Sequence, residues 1–266
     1  MKGAIIGDII GSAFKTENAS NTDFQLLKPT SAFTDDTILT IATADAILSR
    51  SSYETTLKNW VRKFPKAGYR TQFLEWALSE DSIPYISKGD GAARRISPIG
   101  FAASNLNEAI TEAEKSTIIT HNIPERIKAA KAVAAAIYMC RKATKKQKIK
   151  AYIEQVFGYD LSLTVQNWNS AKITSDSDIS PVQPAFAAFF EASEYEEAIR
   201  LAISIGGPSN TIASIAGGLA EAYFGHIPKS IIRKALARLT PEMKTIINTF
   251  EKKFPSQPIE IRKVLN

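Results

Sequence analysis

The chain has 266 residues, of which 44% are hydrophobic and 23% are charged. This length and composition are sufficient for a sizeable buried core and exclude the disordered and fibrous classes of protein. The formal net charge of +6 is compatible with an anionic partner, but the charged residues are scattered along the chain.

The N-terminal stretch, MKGAIIGDIIGSAF, is apolar over too short a run for a membrane span or a signal peptide, and it carries Asp8 in its middle. Its glycines at 7 and 11 have a G-x-x-x-G spacing, which allows either close helix packing or approach to a phosphate. The single cysteine, Cys140, lies in an apolar helical pattern and cannot form an intramolecular disulfide. We expect one cytoplasmic domain spanning 1–266, with no membrane association.

The next predicted element is a helix over 34–49, TDDTILTIATADAILS, in which apolar residues recur at helical spacing. Thr34 is the predicted N-cap, and Asp35 and Asp36 in the first turn complement the helix dipole. The same three residues present a hydroxyl and two carboxylates on one turn, which is also how a hard cation such as Mg²⁺ is held. The residues alone leave both interpretations open.

Helical spacing continues through most of the remaining chain, and strand-like alternation is almost absent. Further helices are predicted over 52–64, 105–119, 124–143, 145–157, 182–192, 194–204, 210–225, 229–239 and 242–254. Small residues are dense in KAVAAAIYMC and TIASIAGGLAEA, which allows close approach around a central helix pair. An all-α orthogonal helical bundle follows from this pattern.

The densest basic run, RKATKKQKIK at 141–150, lies between two of these helical patterns and contains no aromatic residue. A solvated helix junction explains it better than a nucleic-acid patch does. We therefore expect no nucleic-acid partner.

Five motifs follow one another along the chain. They are GAIIGDIIGSAF at 3–14, FTDDTILT at 33–40, GDGAARRISPIG at 89–100, THNIPERIKAAKAVAAAIY at 120–138 and AIRLAISIGGPSNTIASIAGGLAEAYFGHIP at 198–228. In this order they resemble the ADP-ribosylglycohydrolase family, whose members are all-α bundles that cleave the bond between ADP-ribose and a modified side chain. The resemblance implies the same fold, and ADP-ribose or an ADP-ribosylated protein as the ligand.

Members of this family typically bind two Mg²⁺ ions. Their Thr-Asp-Asp motif matches Thr34, Asp35 and Asp36, and their Asp-x-Asp-Thr motif aligns with PSNT at 208–211. The resemblance implies these candidate metal ligands: Thr34, Asp35, Asp36, Asn210 and Thr211. Because proline offers no side-chain ligand and asparagine only a neutral oxygen, we expect one Mg²⁺ ion on the two aspartates, or none, in place of a full binuclear centre.

The family's glycine-rich start usually ends in Phe-Glu, and that glutamate is assigned an acid/base or substrate-gating role. Here the pair is Phe14-Lys15, and a protonated lysine cannot replace a carboxylate in proton transfer. Glu17 could reach the site only if the loop is rearranged. Any turnover would therefore depend on Asp35, Asp36 and Glu17 as catalytic residues. A carboxylate from TSDSDISP at 174–181 could replace the lost ligands, although a solvated loop is favoured there.

The resemblance also implies a set of ligand-binding residues. These are Asp8, Lys15, Gly89, Asp90, Gly91, Ser97 and His121. His121 has the alternative of supporting the helix that starts at Pro124. This chain departs from the family pattern at three further positions. Asp90 replaces the Asn of a Gly-Asn-Gly sequence, Arg94 replaces a Met, and Arg126 replaces a Gly. The cations Lys15, Arg94 and Arg126 could neutralise a pyrophosphate without metal, or could be solvated residues that drifted after function was lost.

Three functions are compatible with this sequence. The first is a metal-dependent hydrolase, and the second is a pseudoenzyme that binds ADP-ribose or an ADP-ribosylated protein, or that occupies a partner such as an ADP-ribosyltransferase. The third is a purely structural descendant. Because two carboxylates are missing from the metal motif, we expect impaired or lost hydrolysis with retained recognition.

Overall fold

The computed structural model describes residues 1–15, 21–80, 86–171 and 180–256. Within these ranges the chain forms fifteen α-helices and no β-strand, which confirms the predicted all-α fold. The helices are α1 (Lys2–Gly11), α2 (Asp35–Ser49), α3 (Tyr53–Lys63), α4 (Thr71–Leu78), α5 (Gly91–Arg95), α6 (Ser97–Ala102), α7 (Leu106–Ile118), α8 (Pro124–Arg141), α9 (Lys146–Phe157), α10 (Val165–Ser170), α11 (Val182–Glu191), α12 (Tyr195–Ser204), α13 (Ser209–Phe224), α14 (Lys229–Leu236) and α15 (Pro241–Lys253).

The ten helices predicted from spacing all occur. Five more, α1, α4, α5, α6 and α10, were not predicted. Four of them have eight residues or fewer and offer few turns for a periodic pattern. The fifth, α1, is buried on all sides from Gly3 to Gly11, so its sequence has no polar face that would mark a helical period. Cys140 is buried, as expected. No helix in the described parts of the chain is long and apolar enough to cross a membrane.

Helices α1 and α13 pack against each other at backbone distance in the centre of the fold. A Cβ on Gly7 would lie 2.1 Å from the carbonyl oxygen of Ala213, and one on Gly3 would lie 2.3 Å from that of Gly217. Real side chains do not approach this closely, so only glycine fits at these positions. The glycine spacing of α1 therefore serves helix packing, and this contact places the end of α1 beside the start of α13.

The turn before α13 requires its two glycines. Gly206 and Gly207 have φ angles of 82° and 67°, in the left-handed region that glycine adopts without a steric penalty. Ser209 donates its hydroxyl to the carbonyl of Phe14 at 3.1 Å, which ties the turn to the end of the first helical segment. The side chains of the first turn of α13 are thereby aimed at α1 and α2.

The basic run at 141–150 lies at the junction between α8 and α9, as predicted, but one of its lysines is not solvated. Lys146 Nζ donates to the carbonyls of Phe189 at 2.7 Å and Phe190 at 3.3 Å, and also to that of Ala192. Its charge therefore caps the C-terminal end of α11, where helical carbonyls lack partners. The prediction of a solvated junction was wrong for this residue.

Candidate functional site

Three helix ends bring the acidic and amide side chains of the predicted site together. Asp36 comes from the first turn of α2, Asp8 from α1, and Asn210 and Thr211 from the first turn of α13. Asn210 Nδ2 lies 2.9 Å from Asp36 Oδ2 and 3.1 Å from Asp8 Oδ1. Thr211 Oγ1 lies 3.3 Å from the same Asp36 oxygen. These residues form one buried cluster.

Asp8 organises the start of α2. Its carboxylate accepts from the backbone N–H and hydroxyl of Thr34 at 2.9 and 2.7 Å, and from those of Thr37 at 3.2 and 2.7 Å. Thr34 in turn caps α2 by accepting from Asp36 N at 3.2 Å, which confirms the predicted N-cap. Asp8 thus fixes the turn that carries Asp35 and Asp36, and its oxygens are already occupied by protein donors.

Arg94, on the short helix α5, supplies the positive charge of the cluster. Its Nη1 is in direct contact with Asp36 Oδ1, and its Nη2 lies 3.7 Å from Asp35 Oδ2. The Asp36 side chain is 1% exposed and that of Arg94 is 20% exposed. Burial opposes the charge of the guanidinium, but Asp36 and Asp35 together raise its pKa above the ordinary value. The guanidinium therefore remains charged against the two carboxylates.

For Asp35 and Asp36, burial has a larger effect on the pKa than the neighbouring charge of Arg94 has. Burial raises the pKa of Asp35 and, more strongly, that of Asp36, while the neighbouring Arg94 lowers both. Lys15 is exposed at the end of the turn that follows α1, and its charge also lowers both pKa values. An ion pair with Arg94 is what makes an ionised Asp36 tolerable at this depth.

The donors around Asp36 do not fit a magnesium ion. The amide of Asn210 lies between two carboxylates, so its NH₂ group and not its oxygen must face them. Arg94 presents N–H groups to the other side of Asp36, whereas Mg²⁺ needs converging oxygens. Within the described ranges, three or more His, Cys, Asp or Glu side chains nowhere converge in a way that could hold a metal ion.

A second arginine–aspartate pair lies on the Gly89–Gly91 segment. Asp90 Oδ1 accepts from Arg126 Nη1 at 2.6 Å and from Ser180 Oγ at 3.0 Å. Asp90 and Arg126 are both positions at which this chain departs from the family pattern. The two departures are paired with each other, and neither of the two side chains is left to solvent alone.

A cavity of about 20 Å³ lies beside Arg94. It is lined by Asp35, Leu39, Arg70, Phe73, Ser87, Gly89, Gly91, Arg94 and His121. Gly89, Gly91 and His121 were predicted to contact a ligand, and they do share this cavity. Its volume accommodates about one water molecule, so a nucleotide would have to enlarge it.

His121 is held uncharged in the wall of this cavity. Its Nδ1 lies 2.7 Å from Thr120 Oγ1, which also accepts from Arg95 Nη2 at 2.9 Å. Burial lowers the pKa of His121 well below its ordinary value, and the charges of Arg95, Arg94 and further arginines add to this effect. Burial likewise lowers the pKa of Arg95, to about 9.

The remaining predicted residues are not brought into this cavity. Ser97 packs against α13, since a Cβ on Gly218 would lie 3.3 Å from the Cβ of Ser97. Glu17 and the 174–179 carboxylates lie outside the described residues. Two residues were missed: Thr37, which belongs to the FTDDT motif, and Arg70, for which the local sequence offers no signal.

Comparison with known proteins gives one family. Residues 1–257 match the sequence model of the ADP-ribosylglycohydrolase family. An uncharacterized protein of Archaeoglobus fulgidus is 27% identical over 225 residues, which cover 74% of this chain and 73% of that protein. A solved structure, an ADP-ribosylglycohydrolase-related protein complex, is similar with a TM-score of 0.69 and 22% identity, covering 94% of this chain and 95% of the other. This likeness supports the all-α fold.

Proposed function

Because the chain belongs to the ADP-ribosylglycohydrolase family, we propose that it recognises ADP-ribose, free or attached to a protein, without magnesium-dependent hydrolysis. The observation that carries this proposal is the contact of Arg94 with Asp36 and its approach to Asp35. These carboxylates match the family's Thr-Asp-Asp motif, and here the protein itself places a positive charge beside them.

The charges around the cavity suit the diphosphate of ADP-ribose. Arg70 and Arg94 both line the cavity, and guanidinium groups bind phosphate oxygens through paired N–H donors. Gly91 lets the backbone pack closely against the wall of the cavity, because a Cβ there would lie 3.1 Å from the His121 ring. Binding would widen the cavity by displacing the exposed Arg70 side chain.

The sequence predicts that the site binds either one Mg²⁺ ion or no ion. The arrangement of hydrogen-bond donors around Asp36 favours a site without an ion. An ion on Asp35 and Asp36 would have to displace Arg94 from a buried ion pair. The displaced guanidinium would then lie beside a dication, which is electrostatically unfavourable. In the proposed function, the protein therefore needs no divalent cation to hold Asp35 and Asp36 in place.

A hydrolase with a rearranged site is the alternative, and one observation favours it. Asp35 lines the cavity, which has room for one water, and it lies 3.7 Å from Arg94, beyond hydrogen-bonding distance. A carboxylate beside a water is what a general base requires. In that alternative Asp35 orients the water, and Asp36 and Glu17 are the further catalytic candidates.

The partner of the proposed binding function is an ADP-ribosylated protein or the ADP-ribosyltransferase that produces it. Neither nucleic acid nor a membrane is part of the proposal. Scattered positive charge and the arginines of the cavity wall are consistent with a small anionic ligand.

The test is to incubate stoichiometric protein with an arginine-ADP-ribosylated and with a serine-ADP-ribosylated substrate, and to quantify free ADP-ribose. Each reaction is run with Mg²⁺ and with EDTA. We expect no release in either condition, together with measurable binding of ADP-ribose. Release that EDTA abolishes would establish a metal-dependent hydrolase. Release that persists in EDTA and disappears in Asp35→Asn would establish the alternative.

A further inference from the structure

Two side chains occupy the space where a cation would contact Asp36. Arg94 covers Oδ1, and the Asn210 amide covers Oδ2 and reaches Asp8. We infer that Arg94 and Asn210 together replace a divalent cation as a permanent part of the fold. The site is therefore complete without metal, and it becomes a metal site when these two side chains are changed.

The geometry explains why both side chains are needed. A guanidinium carries one positive charge, and Arg94 contacts Asp36 only at Oδ1. The oxygen that faces α13 needs a second donor, which Asn210 provides at 2.9 Å. An aspartate at 210 would bring a third carboxylate against Asp36 and Asp8, and a single guanidinium would not balance that charge.

The same contacts indicate how the replacement can be reversed. Arg94→Met removes the guanidinium while keeping an unbranched side chain that reaches about as far as the arginine Nε. Asn210→Asp keeps the shape of the side chain and exchanges the NH₂ donor for an oxygen. Together they leave the carboxylates of residues 35, 36 and 210 near one another without a cation, and carboxylate oxygens are the ligands that hard divalent cations prefer. This inference deepens the proposed function, because it concerns the same site.

The experiment titrates Mn²⁺ into the wild-type protein and into Arg94→Met/Asn210→Asp, and follows free Mn²⁺ by electron paramagnetic resonance. We expect the wild type to leave the signal unchanged and the double variant to deplete it. We also expect Mn²⁺ to raise the melting temperature of the double variant only. Arg126→Met is the matched control, since it breaks the other arginine–aspartate pair and should gain no Mn²⁺ binding.

Two results would overturn the inference. One is wild-type binding of Mn²⁺ that Asp36→Asn abolishes, and the other is a folded double variant that binds none. If the double variant does not fold even with Mn²⁺, Arg94→Met alone is titrated. It should bind Mn²⁺ more strongly than the wild type, and a folded Arg94→Met that does not would count against the inference. None of these measurements uses ADP-ribose, so failure of the proposed function is detected separately.

Discussion

Arg94→Met removes the only cation in direct contact with Asp36 among the described residues. Loss of one partner from a buried ion pair costs about 3–5 kcal/mol, because the remaining charge is left in a poorly solvating environment. Asp36 keeps the donors of Asn210 and Thr211 on its other oxygen, and the Arg94 side chain is 20% exposed, so water can enter after its removal. We therefore expect the lower end, a loss of about 3 kcal/mol in the free energy of unfolding.

Urea unfolding of the variant and of two companions tests this value. Arg126→Met breaks a pair whose side chains are 21% and 18% exposed, so it should cost about 1 kcal/mol. Arg94→Met/Asp36→Asn should recover most of the loss, because a neutral amide needs no counter-ion. If Arg94→Met costs no more than Arg126→Met, or if adding Asp36→Asn destabilises the protein further, the charge of Asp36 does not depend on Arg94.

Three further predictions concern other contacts. Gly7→Ala places a methyl group 2.1 Å from a backbone oxygen of α13 and should cost about 3 kcal/mol in urea unfolding. In Gly218→Ala the new Cβ would lie 3.3 Å from its nearest neighbour, the Cβ of Ser97, and the free energy of unfolding should change by less than about 1 kcal/mol. Equal losses in these two variants would show that the contact between α1 and α13 does not require glycine at residue 7. Burial lowers the pKa of Lys146 to about 8, whereas a free lysine has a pKa of roughly 10.4. Between these two pH values the unfolded chain binds more protons than the folded chain, so the free energy of unfolding should rise with pH. Lys146→Met should remove that rise, and an identical pH profile in the variant would show that Lys146 is not its source. Arg70→Gln should weaken ADP-ribose binding about tenfold by calorimetry, since one charge-assisted hydrogen bond contributes about 1.5–3 kcal/mol. The melting temperature should not change, because the Arg70 side chain is exposed. Unchanged affinity would show that Arg70 is not part of the proposed site.

Local patterns were sufficient to predict most of the fold. Helical spacing located ten of the fifteen helices of the described residues, and Thr34 was recognised as the cap of α2. These features depend on residues within a few positions of one another. Lys146 shows the limit, because its carbonyl partners are more than forty positions away and no local pattern reports them.

The same limit separates what the sequence could and could not say about the site. The motifs located Asp35, Asp36 and Asn210, and the resemblance explained why they should meet. The role of Arg94 did not follow from these motifs. An arginine at this position could contact either an anionic ligand or the two aspartates, and the sequence does not distinguish between the two. Only the packing of α5 against α2 brings Arg94 to Asp36, and only packing pairs Asp90 with Arg126.

Metal-free recognition of ADP-ribose is tested by isothermal calorimetry with the wild-type protein, once in EDTA and once in Mg²⁺. Because Arg94 already contacts Asp36 and lies 3.7 Å from Asp35, we expect binding with the same dissociation constant in both buffers. Binding that requires Mg²⁺ would show that a cation completes the site, and no binding in either buffer would show that the chain does not recognise ADP-ribose. Either of these two results would rule out recognition of ADP-ribose at a metal-free site.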